Sequence, residues 1–182
     1  GLQGVIIESF IEKFNSSFFE QDKEKVVTRY KHVIDSTLGP DKITYDHIAA
    51  LHDLGYLPIK IKALREGTIV PVGIPFVTIV NTKPEFFWVT NMIETLLSAE
   101  IWKPITSATT AHRYRQLLDS YAKETGGDPA FVQWQGHDFS MRGLSSFESA
   151  CLSGFGHLLS FTGTDTVPAI LFAEKYYGAN VE

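Results

Sequence analysis

Polar chemistry gathers abruptly at one place in this chain, the run His137-Asp138-Phe139-Ser140-Met141-Arg142-Gly143, and its flanks restrict the fold. Upstream, Phe131-Val132-Gln133-Trp134-Gln135 has the aromatic and β-branched content of a strand. Downstream, Ser145 and Glu148 have the spacing of a capping box and open an apolar helical run over 145–157. The polar run is therefore expected on a strand-to-helix turn, where α/β folds place their ligand sites. The pattern then recurs. Residues 158–162 read as a short apolar strand and Gly163-Thr164-Asp165-Thr166 as a turn carrying one carboxylate. Residues 167–177 read as a helix closed by Gly178 as its C′ residue. Two consecutive β–α units are how a parallel α/β barrel begins, although two units do not close one.

The rest of the chain mixes both periods. Apolar residues recur at helical spacing over 2–14 (Leu2, Val5, Ile6, Phe10, Phe14), and a more polar helix is expected over 22–37, broken by Gly39-Pro40. Thr44 can cap a short helix ending at Gly55. Leu57, Ile59, Ile61 and Ala63 alternate with Pro58, Lys60 and Lys62, the period of a half-buried strand, which leaves both lysines on its solvated face. Residues 76–80 form another strand candidate. Pro84 is expected to start a helix reaching Ser98, and Pro104 to sit in the first turn of a longer one reaching about Glu124. Gly126-Gly127-Asp128-Pro129 is the clearest break. The expected fold is thus α/β: a mixed α+β N-terminal domain over 1–129, then the first βα units of an incomplete barrel over 130–182. Both ends read as internal to something larger.

Composition narrows the function classes. With 182 residues, 44% hydrophobic and 20% charged, the chain is an ordinary globular one that can bury a real core. A net charge of −5 gives no general reason to expect nucleic acid or an anionic membrane as partner. An anionic ligand would instead need a local basic site. Cys151 is the single cysteine, so no intrachain disulfide is possible, which fits a reducing compartment. It reads as a small buried helix residue. No apolar run is long enough to span a bilayer. His32, His47, His52, His112 and His157 show no metal-ligand spacing with cysteines or carboxylates, so no metal site is expected.

Taken alone, the residues of the two turns have bland readings. Phe139 is a core or lid aromatic. Arg142 is a solvated group near a helix start, although a cation there makes better sense if an anion binds between it and the helix N–H donors. Asp165 is a helix N-cap. His137 and Asp138 are adjacent on a strand and face opposite ways, so His137 is expected to line the pocket and Asp138 to be structural.

The ordered blocks change those priors. His137-Asp138-Phe139 with Arg142-Gly143, then Gly163-Thr164-Asp165-Thr166, then Lys175-Tyr176-Tyr177-Gly178 resemble the nicotinamide phosphoribosyltransferase family. The resemblance extends through Gly55-Tyr56-Leu57-Pro58-Ile59-Lys60-Ile61-Lys62-Ala63, Asn81-Thr82-Lys83-Pro84-Glu85, Trp88-Val89-Thr90-Asn91-Met92-Ile93-Glu94-Thr95 and Trp102-Lys103-Pro104-Ile105-Thr106-Ser107-Ala108-Thr109. It implies a pentosyltransferase of NAD salvage that joins nicotinamide to phosphoribosyl pyrophosphate, with Mg²⁺ on the phosphoribosyl donor and ATP as an activator. It implies that Phe139 stacks on the pyridine ring, that Arg142 contacts a phosphate, and that Asp165 accepts from the carboxamide NH₂. It further implies a cytoplasmic homodimer with the active site at the subunit interface, of which this chain is a fragment inactive by itself. Two alternatives stand beside it: a nicotinate phosphoribosyltransferase, and a non-catalytic fragment that binds a ring-containing ligand or dimerises.

Overall fold

The computed structural model describes residues Gly1–Asn180. The fold is mixed α/β, mostly helical, with two small two-stranded sheets among the described residues. It forms two compact units that interleave in sequence. One comprises Val5–Leu64 and Val70–Thr95; the other comprises Gly1–Gly4, Arg65–Ile69 and the chain from Leu96 onward.

The first unit is built on helices. After the short helix α1 (Leu2–Val5), whose first three residues belong to the other unit, wide π-type turns span Ile6–Glu12 and Asn15–Phe19, where Lys13 N–H reaches the Glu8 carbonyl and Glu20 N–H the Asn15 carbonyl. Asp22 caps α2 (Lys23–Leu38) by accepting from Lys25 N–H at 2.9 Å, and Gly39 at φ 96° ends it. Helix α3 (Asp46–Leu54) starts after Tyr45 rather than on a Thr44 cap, and Gly55 closes it in the left-handed region. Strands β1 (Ile59–Ala63) and β2 (Val77–Asn81) pair antiparallel, Ile59 opposite Asn81 and Ala63 opposite Val77. Phe10, Ile48, Leu51, Phe86, Val89 and Ile93 are buried in this unit.

Helix α4 (Trp88–Thr125) follows a 3₁₀ turn at Pro84–Phe86 and is continuous through Pro104. The sequence expectation of two helices, with Pro104 opening the second, is therefore corrected. Pro104 lacks an N–H and would ordinarily kink a helix. Here it is buried, and a β-carbon at Gly156 would lie 2.6 Å from its carbonyl oxygen. Ser107 Oγ also donates to the Ser153 carbonyl at 2.7 Å. Close packing thus holds the flanking turns and outweighs the loss of one backbone bond.

The second unit contains the recurrent pattern, with two strands shifted from their expected places. Residues 131–135 are not a strand: α5 (Val132–Gln135) is helical, and β3 is only His137–Asp138. The cause is local. Asp128 Oδ1 accepts from Ala130 N–H at 2.9 Å, and Phe131 and Val132 N–H groups turn back to the Asp128 and Pro129 carbonyls. This Asp-Pro turn nucleates helical geometry and overrides the β propensity of the side chains. After α6 (Phe147–His157), residues 158–162 likewise wind on as turns, with Phe161 N–H bonded to the His157 carbonyl, and β4 is Gly163–Thr164. The cap of α6 is Ser146, which accepts from Ser149 N–H at 3.1 Å, one residue beyond the expected Ser145. Helix α7 (Pro168–Tyr177) ends at Gly178 in the left-handed region, as expected.

Candidate functional site

Strands β3 and β4 are parallel, His137 opposite Gly163 and Asp138 opposite Thr164. The ladder continues one residue on, where Asp165 N–H donates to the Asp138 carbonyl at 2.8 Å. Parallel pairing puts the two C-terminal ends side by side. Phe139 and Asp165, each the first residue past its strand, therefore emerge at the same end, and the 3₁₀ turn Ser140–Gly143 carrying Arg142 follows directly. That is where parallel α/β units offer their ligand-binding positions.

The alternation of side chains separates His137 from Asp138. The His137 ring turns toward the site: its centroid is 4.9 Å from that of Phe139, and its Nε2 lies 3.4 Å from Asp165 Oδ1. Asp138 turns inward. Its Oδ1 accepts from Ser140 N–H at 3.0 Å and so shapes the turn beneath Phe139, while its Oδ2 is buried beside Gly154. Phe139 is 56% exposed, leaving most of its ring open for contact.

Asp165 does not cap the next helix. The residue at the N-cap of α7 is Val167, with no side-chain cap, and Thr166 N–H is satisfied by Thr164 Oγ1 at 3.0 Å. The carboxylate is 56% exposed and directed at His137. Arg142 is exposed and makes no ion pair among the described residues. Its guanidinium is thus available to an external anion. No group of three or more His, Cys, Asp or Glu among the described residues is arranged to hold a metal ion. The Mg²⁺ implied by the resemblance accordingly finds no protein cage in these residues.

Several neighbours of the site carry no periodic signal. A β-carbon on Gly163 would lie 2.4 Å from His137 Nδ1, and one on Gly136 would lie 2.6 Å from the Phe161 ring. Both glycines permit close approaches that are visible only once the strands are paired. His157, which has no metal-ligand spacing, places Nε2 2.9 Å from the Gly163 carbonyl.

The geometry defines a class first: a parallel strand pair presenting an aromatic face, a carboxylate and a free guanidinium at one end, suited to a polar planar ring joined to an anion. Comparison with known proteins narrows it. The chain is 54% identical over 180 residues to the nicotinamide phosphoribosyltransferase of Acinetobacter baylyi, covering 99% of this chain and 36% of that protein. It is 41% identical over 124 residues, 68% of the chain, to the Xanthomonas campestris protein of the same name. It is 40% identical over 114 residues, 61% of the chain, to the one from Mycoplasma genitalium. No protein-family model matches. The chain belongs to the nicotinamide phosphoribosyltransferase family, and spans about a third of the length of the first of these relatives and about a quarter of the others.

Proposed function

We propose that the protein to which this chain contributes transfers the phosphoribosyl group of phosphoribosyl pyrophosphate to nicotinamide. The ring nitrogen bonds to the ribose anomeric carbon, the carbon–oxygen bond to the diphosphate breaks, and pyrophosphate leaves with that electron pair. The products are nicotinamide mononucleotide and pyrophosphate. The observation that carries this reading is Asp165: freed from any capping duty, its carboxylate stands at the strand ends with His137 and the open ring of Phe139.

Each side chain then has a task. Phe139 offers its face to the electron-poor pyridine ring, for which offset stacking is favourable. Asp165 accepts from the carboxamide NH₂. A carboxylate in that position repels the carboxylate of nicotinate, so nicotinamide is the preferred base. His137 borders the ring and orients Asp165. Arg142 takes a phosphate, for which a guanidinium gives paired contacts. Much of the rate acceleration comes from positioning and from stabilising charge around an oxocarbenium-like transition state.

In this reading Mg²⁺ arrives with the diphosphate, and ATP acts on parts of the protein outside this segment. The two parallel β–α units begin a barrel, with the domain boundary at 129/130, and the active site completes itself at the interface of a cytoplasmic homodimer. Incubating the longer protein with nicotinamide, phosphoribosyl pyrophosphate and Mg²⁺ tests the reading. Stoichiometric mononucleotide and pyrophosphate are expected; turnover of nicotinate but not nicotinamide would replace it with the nicotinate enzyme.

A further inference from the structure

The strand that delivers Asp165 is only two residues long, so something besides its ladder must fix it. Three side chains grip the segment leading into it. Arg115 Nη1 donates to the Ser160 carbonyl at 2.8 Å, and Gln133 accepts from Thr162 N–H through its backbone carbonyl at 3.0 Å and from Thr162 Oγ1 through Oε1 at 3.3 Å. The third, His157, reaches Gly163 itself.

We infer that His157 is a positioning residue for the base-binding end of the site, setting the place of Gly163 and through it both His137 and Asp165. The inference rests on the nicotinamide reading above. Its geometry is direct. His157 Nε2 is 2.9 Å from the Gly163 carbonyl, which can only accept, so the ring must carry its proton on Nε2. The imidazole is held flat against Phe161, centroids 5.1 Å apart and planes 20° from parallel, and Phe161 is itself buried.

Gly163 in turn pairs with His137 and is so close that a β-carbon would meet His137 Nδ1 at 2.4 Å. Its backbone is the wall against which that ring rests. Two residues later, Asp165 meets the other nitrogen of the same ring at 3.4 Å. A shift of the Gly163 carbonyl therefore moves the ring and the carboxylate together. Arg142, which follows β3 rather than β4, lies outside that chain of contacts.

The distinction from a merely structural histidine is selectivity between substrates. In the longer protein, His157→Leu fills the space without a donor, whereas His157→Gln offers an Nε2 donor at nearly the same reach. Loss of one net hydrogen bond is expected to raise the KM for nicotinamide about three- to tenfold in His157→Leu. The KM for phosphoribosyl pyrophosphate should stay within about twofold, and His157→Gln should recover nicotinamide KM to within about twofold of the parent. Three results would overturn the inference: an unchanged nicotinamide KM in His157→Leu, a Gln variant no better than Leu, or parallel losses for both substrates tracking a lowered Tm. If His157→Leu does not fold, His157→Asn, whose amide falls a methylene short, replaces it in the same comparison with Gln. A parent enzyme that does not use nicotinamide defeats the functional reading and this inference with it, whereas the three results above, seen with an active parent, defeat the role of His157 alone.

Discussion

At the scale of single residues, the site depends on which way each side chain leaves a short strand. Phe139 and His137 leave on one side of β3, their rings 4.9 Å apart, and Asp138 turns to the interior, as alternation requires. Phe139→Ala in the longer protein should weaken nicotinamide binding by about 1–3 kcal/mol, the worth of a stacked aromatic at sites that hold planar bases. Binding of phosphoribosyl pyrophosphate should change less, which calorimetry with each ligand separately will show. Gly163→Ala puts a methyl group 2.4 Å from His137 Nδ1. Overpacking of that kind costs about 1–3 kcal/mol, so nicotinamide kcat/KM should fall at least several-fold as the ring is pushed aside. The position of His137, Phe139, Arg142 and Asp165 on two turns was legible because polar residues interrupt apolar runs there, whereas the roles proposed for Phe139, Arg142 and Asp165 come from the family resemblance. Gly163 and His157 were not legible, since an omitted β-carbon and a carbonyl contact acquire meaning only when β3 and β4 are brought together.

At the scale of elements, some helix ends were readable, while the caps expected at Thr44 and Ser145 fall one residue further on. Asp22 opens α2 and Gly178 closes α7 where capping chemistry requires. The strands were less so: the aromatic-rich residues 131–135 yielded to the Asp128-Pro129 turn, and Pro104 yielded to the packing of α6 on α4. Gly156→Ala tests that packing. Its methyl group would meet the Pro104 carbonyl and the Ala108 nitrogen, both backbone and unable to swing away, so a loss of about 1–3 kcal/mol in denaturant unfolding is expected.

Glu66 gives a second test at this scale, through pH. It gathers the Gly1 amine, the Leu2 and Gln3 N–H groups and the Tyr177 hydroxyl onto one carboxylate. Burial alone would raise its pKa, but the hydrogen bonds from the Gly1 amine and Gln3 and the charge of the amine outweigh it and hold the carboxyl below its ordinary 4.5. A carboxyl depressed in the folded state adds stability that is complete above the unfolded value and is lost as pH falls through the folded one. In this 182-residue chain, Glu66→Gln should therefore lower Tm at neutral pH, and the gap from the parent should shrink as the solution is acidified below 4.5. A gap independent of pH would show that Glu66 acts through shape alone.

At the scale of the whole molecule, the function proposed above assigns to this chain the base-binding end of a site that the longer protein completes. The 182-residue chain alone should not form mononucleotide, while the longer protein should. The measurement that decides between ring recognition and coincidence is the ratio of kcat/KM for nicotinate to that for nicotinamide, taken at one pH in the longer protein and in its Asp165→Asn variant. Asparagine keeps the shape but removes the charge that repels nicotinate and weakens the acceptor for the carboxamide. A hydrogen bond to a charged group is worth about 1.5–3 kcal/mol, so the ratio should rise at least about tenfold, with nicotinamide kcat/KM falling. An unchanged ratio would show that Asp165 does not face the carboxamide, and would contradict the nicotinamide reading of this site.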